Sequence, residues 1–150
     1  MELHRIERIQ TVARARDETF RFFADPHNLE VMTPRWLRFH FLTEPPRQFH
    51  AGAEIHYAVR FLGVPVSWRS LIETWEPPRR FIDVALESPY PHWRHTHTFE
   101  LEGRGGAIVH DEVEYAMPFG PLGTVARLVL VGPILNRIFD YRAEQMKRLL

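Results

Sequence analysis

Cysteine is absent from the 150 residues, which excludes disulfides, thiolate catalysis and zinc–thiolate sites. Net charge is absent as well, 19 Lys and Arg against 19 Asp and Glu. A dedicated nucleic-acid binder carries a basic surplus, so no nucleic acid is expected as a partner. Lysine is nearly missing, Lys147 being the sole example. No apolar run reaches the length of a membrane span, so stable membrane insertion is not expected. The opening MELHRIERIQTV is charged and lacks the apolar stretch of a signal peptide. There is no G-x-S-x-G nucleophile turn and no glycine loop opening a helix. The four residues Gly103 to Gly106 read as a hairpin turn. These absences point to a soluble cytoplasmic protein with neither cofactor nor metal.

What is present is a core. Hydrophobic residues make up 45% of the chain, enough for one domain spanning 1–150. LHRIERIQTV alternates and predicts a first strand. RDETFRFFAD follows, with acids in its first turn and Phe20, Phe23 and Ala24 on one face, and predicts a short helix. Asp25-Pro26 stops it, and a second short helix covers His27 to Met32. Strands are expected near 37–43, 53–62, 65–76, 80–87, 92–102 and 107–117, punctuated by glycine and proline. After MPFGPLG the chain runs to its end with helical periodicity. The fold class is α+β: a curved antiparallel sheet of about seven strands gripping a long C-terminal helix, with two short helices after the first strand.

The whole chain resembles the START-like, helix-grip superfamily (SRPBCC), which includes ligand-binding proteins, polyketide cyclases and coenzyme Q-binding proteins. The resemblance rests on Phe20, Phe23, Asp25-Pro26, Asn28-Leu29 and Thr33-Pro34 early on, then on Gly63, Pro65, Trp68, Trp75, Phe81 and Asp83. It continues through Trp93, His95, His97, Phe99, Asp111, Tyr115, the PFGPLG segment, Phe139 and Arg142. It implies a cavity between sheet and helix. Gly132-Pro133 departs from the uninterrupted last helix of that superfamily and predicts a bend there.

Alternation assigns the strand faces. Trp93, His95, His97, Phe99 and Leu101 share one face, and their apolar company turns it inward. By the same logic Val109, Asp111, Val113, Tyr115 and Met117 point inward on the next strand. Earlier strands contribute Ile55, Tyr57, Val59 and Phe61, then Trp68, Ser70, Ile72 and Thr74. The strand at 80–87 is ambiguous, because Ile82, Val84 and Leu86 compete with Phe81 and Asp83 for the inside. On the last helix Leu128, Val131, Leu135, Phe139, Met146 and Leu149 form the apolar face. Arg142 falls on that face too, either snorkelling to water or paired with a carboxylate or ligand anion. VARLVLVGPIL is apolar nearly all round. The fold, a second subunit in a homodimer, or a membrane surface are its candidate covers, and packing within the fold is the simplest.

The expected partner is therefore a small apolar ligand with a polar end: a lipid, quinone, isoprenoid or aromatic polyketide. Its candidate contacts are Trp68, Trp93, His95, His97, Phe99, Asp111, Tyr115, Leu135, Phe139 and Arg142. The alternative is a cyclase or dehydratase in which His95, His97 and Asp111 move protons. A third class is an interaction module that docks a partner on the helix. His95 and His97 with Asp111 could make a facial metal triad, but the third ligand is a guess from face assignment and no metal is expected. If the Gly103–Gly106 hairpin sets Leu101 opposite Ala107, then His97 faces Asp111 and His95 faces Val113. On this register His97 bonds Asp111 as a structural anchor and His95 stays free for ligand.

Overall fold

A computed structural model describes residues 1–150. The chain forms β1 (Leu3–Val12), α1 (Arg16–Ala24), α2 (Asn28–Met32) and β2 (His40–Phe41). Five longer strands follow: β3 (Glu54–Phe61), β4 (Val64–Glu76), β5 (Arg80–Glu87), β6 (His92–Leu101) and β7 (Ala107–Ala116). Helix α3 (Gly120–Ala126) passes through a π turn at Arg127–Val131 into α4 (Gly132–Leu149). The seven strands make one antiparallel sheet in the order β1-β7-β6-β5-β4-β3-β2. Placing β7 between β1 and β6 brings the first and last strands together. It also lets α4 lie across the concave face, tied to the edge by Arg8 to Asp140 at 2.9 Å and by Gln10 to the Ala143 carbonyl at 2.9 Å.

The β6–β7 register is the one expected from the hairpin: Leu101 pairs with Ala107, His97 with Asp111, His95 with Val113 and Trp93 with Tyr115. Alternation holds as well. All of Ala107, Val109, Asp111, Val113 and Tyr115 are buried, while Ile108, His110, Glu112 and Glu114 are not. Leu101 is the exception to its inward assignment. It sits at the hairpin end, beyond the reach of the helix, and is 68% exposed.

Two other expectations fail. The strand near 37–43 shrinks to two residues, because Arg35–Leu37 is a 3-10 turn closed by Arg38 in the left-handed region (φ 49°). The packing expected for VARLVLVGPIL is absent over its first half: Val125, Leu128 and Val129 are 59%, 66% and 74% exposed. The π turn explains Leu128. The Gly132 N–H bonds the Arg127 carbonyl five residues back, and this wider turn inserts one residue into the helical phase. Everything before it rotates by about 100° relative to a uniform helix. Val131, Leu135, Phe139 and Met146 keep their place in the core, and Leu128 leaves it. The wide turn also opens the backbone ahead of Pro133, whose ring would crowd a regular turn. Where a bend was expected at Gly132-Pro133, the helix has a π turn just before it. The helical run Gly120–Leu149 is 30 residues long. By length and composition it is long and apolar enough to cross a membrane, which a reading based on unbroken apolar runs overlooks. Its second half is committed to the core through Leu135, Phe139, Arg142 and Met146.

The core has two parts. One gathers Phe20, Phe23, Phe81, Phe99, Val109 and Met146. The other gathers Val113, Tyr115, Val131, Leu135 and Phe139. Phe99 is the hub of the first. It is 1% exposed, and its ring lies 5.3 Å from Phe20 and 5.5 Å from Phe23. Phe99→Ala is expected to destabilise the domain by about 3–5 kcal/mol. Urea unfolding should show a lower midpoint at unchanged slope; an unchanged midpoint would contradict this packing.

Candidate functional site

Between the two apolar clusters runs a polar seam. On β7 Asp111 lies between Val109 and Val113, on β6 His95 and His97 lie between Trp93 and Phe99, and on α4 Arg142 lies between Phe139 and Met146. Each belongs to a run that alternation or helical periodicity turns inward, so three elements deliver charge to one level of the core. Asp111 is 2% exposed. Its Oδ2 accepts from Arg142 Nε at 3.1 Å, and its Oδ1 accepts from His95 Nε2 at 2.9 Å and from Arg142 Nη2 at 3.3 Å. Arg142 is therefore paired with a carboxylate rather than snorkelling to water.

The histidine assignment needs correction. His97 is the cross-strand neighbour of Asp111, but its Nδ1 stands 3.4 Å from Asp111 Oδ1, while Nε2 makes the shorter bond, 2.6 Å to Asp83 Oδ2. It is His95, diagonal to Asp111, that holds the close contact. His95 is not free: it is 8% exposed against 5% for His97. The rings stack at 3.7 Å between centroids, and His97 stacks in turn on Phe81 at 4.1 Å. Asp83 is the residue that the sequence reading left open. β5 buries both Phe81 and Ile82, so alternation gave no answer there. The register did hold the signal, since Asp83 pairs with His95 and Phe81 with His97.

Electrostatics separate the two rings. Burial, reinforced by the neighbouring charge of His97, holds His95 below the ordinary histidine value. Burial opposes charge on His97 too, but its hydrogen bonds to Asp111 and Asp83 and the charges of both outweigh it, raising His97. For Asp111, burial is offset by the Arg142 charge and by bonds from both histidines, which carry its carboxyl well below the ordinary range. Asp83 is held low in the same way, burial being offset mainly by His97. Two carboxylates thus share one guanidinium, and they draw His97 toward its charged form.

A cavity of about 570 Å³ lies between sheet and helix. Of the expected contacts, Trp68, Trp93, His95, His97, Leu135, Phe139 and Arg142 line it. Phe99, Asp111 and Tyr115 do not. Phe99 is sealed in the first core cluster, Asp111 sits behind the histidines, and Tyr115, 2% exposed, has its hydroxyl 3.3 Å from Arg127 Nε. All three point to the concave side, but α4 and their neighbours cover them, and alternation does not report depth. Tyr57 and Ser70 face the cavity as the strand pattern requires, joined by Asp83 and by Tyr90 from the β5–β6 loop.

Asp83, His95 and His97 offer ligand atoms within 4.8 Å of one another. A metal there would use Asp83, not Asp111, as its carboxylate. The rings are stacked and each is already bonded to a carboxylate.

His97 gives this arrangement a pH signature. Its folded pKa lies above the unfolded value of 6.5, so the stability its proton confers is whole below pH 6.5 and fades as pH rises through the folded value. Asp83→Asn removes part of that support. Its destabilisation, about 1–3 kcal/mol, should be largest in acid and shrink above the folded pKa of His97. Urea melts from about pH 5.5 to about pH 8.5 measure this; a loss that grows with pH would contradict the assignment.

No protein-family model matches the chain, and no curated protein matches it in sequence. Solved structures do match in shape. An aromatase/cyclase, Zhui, from Streptomyces sp. R1128 superposes with a TM-score of 0.76 at 15% identity, over 97% of this chain and 92% of that one. A START superfamily protein from Mycobacterium smegmatis gives 0.68 at 10% identity, over 98% and 99%. A norcoclaurine synthase from Thalictrum flavum gives 0.67 at 11%, over 97% and 94%. Identities this low establish architecture alone. With a seven-stranded antiparallel sheet closed on a C-terminal helix, matched along nearly all of its length, the chain has the START-like (SRPBCC) helix-grip fold.

Proposed function

We propose that the protein binds a small, mostly apolar ligand with a polar end, of lipid, quinone, isoprenoid or aromatic polyketide type, in the cavity between sheet and helix. The observation that carries this reading is the cavity itself, about 570 Å³ and lined by 35 residues of which 24 are hydrophobic. A dry core of this size would be filled by side chains. Aromatic walls with a few placed polar groups are the usual make-up of a small-ligand site. Here Asp83, His95, His97 and Arg142 meet on the cavity wall, so an amphipathic molecule would set its polar end against them.

The second reading is a cyclase or dehydratase, and one observation favours it. His95 donates Nε2–H to Asp111, while its Nδ1 makes no hydrogen bond. No side-chain nitrogen or oxygen shut away from solvent lacks a partner, so this nitrogen opens to the cavity that the ring lines. A neutral imidazole oriented by a carboxylate, with its second nitrogen bare, is the arrangement of a general base. The likeness to an aromatase/cyclase supports the same chemistry. In this scheme His95 takes a proton from carbon beside a ligand carbonyl, Asp111 orients the ring, and His97, with Asp83, supplies positive charge.

Native mass spectrometry of the purified protein, looking for a co-purified adduct, tests the binding reading, and turnover of candidate polyketides tests the catalytic one. Leu135, 4% exposed on the cavity wall, supplies the control. Leu135→Trp fills part of the space and should weaken binding of an apolar fluorescent dye by about tenfold, with the far-ultraviolet circular dichroism unchanged. Undiminished dye binding in the variant would place the dye elsewhere and remove the support for this cavity.

A further inference from the structure

The charged end of the cavity contains more acceptors than its central carboxylate explains. Asp111 is saturated by Arg142, His95 and His97 and is sealed from the cavity. What faces the cavity is the unused side of its partners. His95 Nδ1 has no partner, and neither has Asp83 Oδ1, since the His97 bond goes to Oδ2. Both belong to residues that line the cavity, and neither atom is shut away from solvent. The same cavity carries two donors: the Tyr57 hydroxyl, which lies against Ser70, and Arg142, whose Nη1 makes no hydrogen bond.

The ligand group that fits this set must give a hydrogen bond as well as receive one. An ether or a ketone gives nothing to His95 or Asp83, leaving a cavity-facing acceptor unmet once the ligand displaces water. A carboxylate offers acceptors to acceptors and adds a third negative charge beside Asp83 and Asp111. An ammonium pairs with Asp83 but adds an uncompensated positive charge beside Arg142. A hydroxyl gives one hydrogen bond, to His95 or to Asp83, and receives one from a donor, without adding charge. The body of the ligand is constrained as well. Tyr57 and Trp68 lie parallel to within 14°, and Trp93 stands edge-on to Trp68 at 88°. These flat walls suit a planar ring system.

Building on the ligand-binding reading, we propose that this cavity selects planar apolar molecules ending in an uncharged hydroxyl, phenolic or enolic, which donates to His95 Nδ1 and accepts from Arg142 or Tyr57. The hydroxyl, not the length or branching of the apolar body, is then the feature that separates ligand from non-ligand.

Four pyrene probes test this, because they share one body and differ at one position: pyrene, hydroxypyrene, methoxypyrene and pyrene carboxylate, titrated by fluorescence against the wild-type protein at neutral pH. Hydroxypyrene should bind about tenfold tighter than methoxypyrene, with the carboxylate weakest. Equal affinity for the hydroxyl and the methyl ether, or tightest binding by the carboxylate, would overturn the proposal while leaving an apolar-ligand cavity intact. Failure of all four to bind would overturn the ligand-binding reading and this proposal with it. The His95→Phe variant should bind hydroxypyrene and methoxypyrene alike; a retained preference would assign the acceptor to another group. If that variant does not fold, the comparison among the four probes on the wild-type protein decides by itself.

Discussion

Asp111 is an ionised carboxylate at 2% exposure in the middle of the sheet, and an uncompensated charge there would not be tolerated. Its partners come from two other elements. Arg142 reaches it from α4 at 3.1 Å, and His95 reaches it from β6 at 2.9 Å. Satisfying one carboxylate therefore fixes the height and rotation of the helix over the sheet and the orientation of the ring that faces the cavity. His97 bonds Asp83 on β5, extending the same constraint across four elements. The apolar clusters on either side supply the bulk of the burial energy, but hydrophobic contact is non-directional. The seam is what makes one alignment of helix on sheet better than its neighbours.

The consequences for the cavity follow directly. With α4 pinned at Arg142, its apolar residues toward Val131 stand off from β3 and β4, and the space between is not filled. Asp111 is fully bonded behind the histidines, so only the cavity-facing atoms of its partners and of Asp83 remain available to a ligand.

Much of this was legible in the sequence. Period-two alternation on β6 and β7, with a glycine-rich turn between them, sufficed for the register, because a one-residue slip would have turned every apolar residue outward. Helical periodicity placed Arg142 inward for the same reason. What stayed hidden has physical causes. Alternation gives a face, not a depth, so Phe99, Asp111 and Tyr115 were grouped with true cavity residues although other side chains cover them. Register gives the directly opposed residue, but imidazole and carboxylate are long enough to pair diagonally, so Asp111 takes His95 more closely than His97. Asp83 was masked because β5 buries Ile82 on one face and Phe81 on the other. Uniform periodicity also failed at the π turn, where one extra residue moved Leu128 from core to surface.

A double-mutant cycle between Asp111 and Arg142 tests the central claim most directly. Asp111→Asn, Arg142→Met and the double variant are compared with the wild type by urea unfolding. If the pair is the joint between helix and sheet, each single change leaves a buried group without its counter-charge and costs about 3–5 kcal/mol, and the double variant loses much less than the sum, with a coupling energy of about 2 kcal/mol or more. Losses that add to within about 0.5 kcal/mol would show that the two residues act independently, and that the alignment of helix on sheet is set by something other than this ion pair.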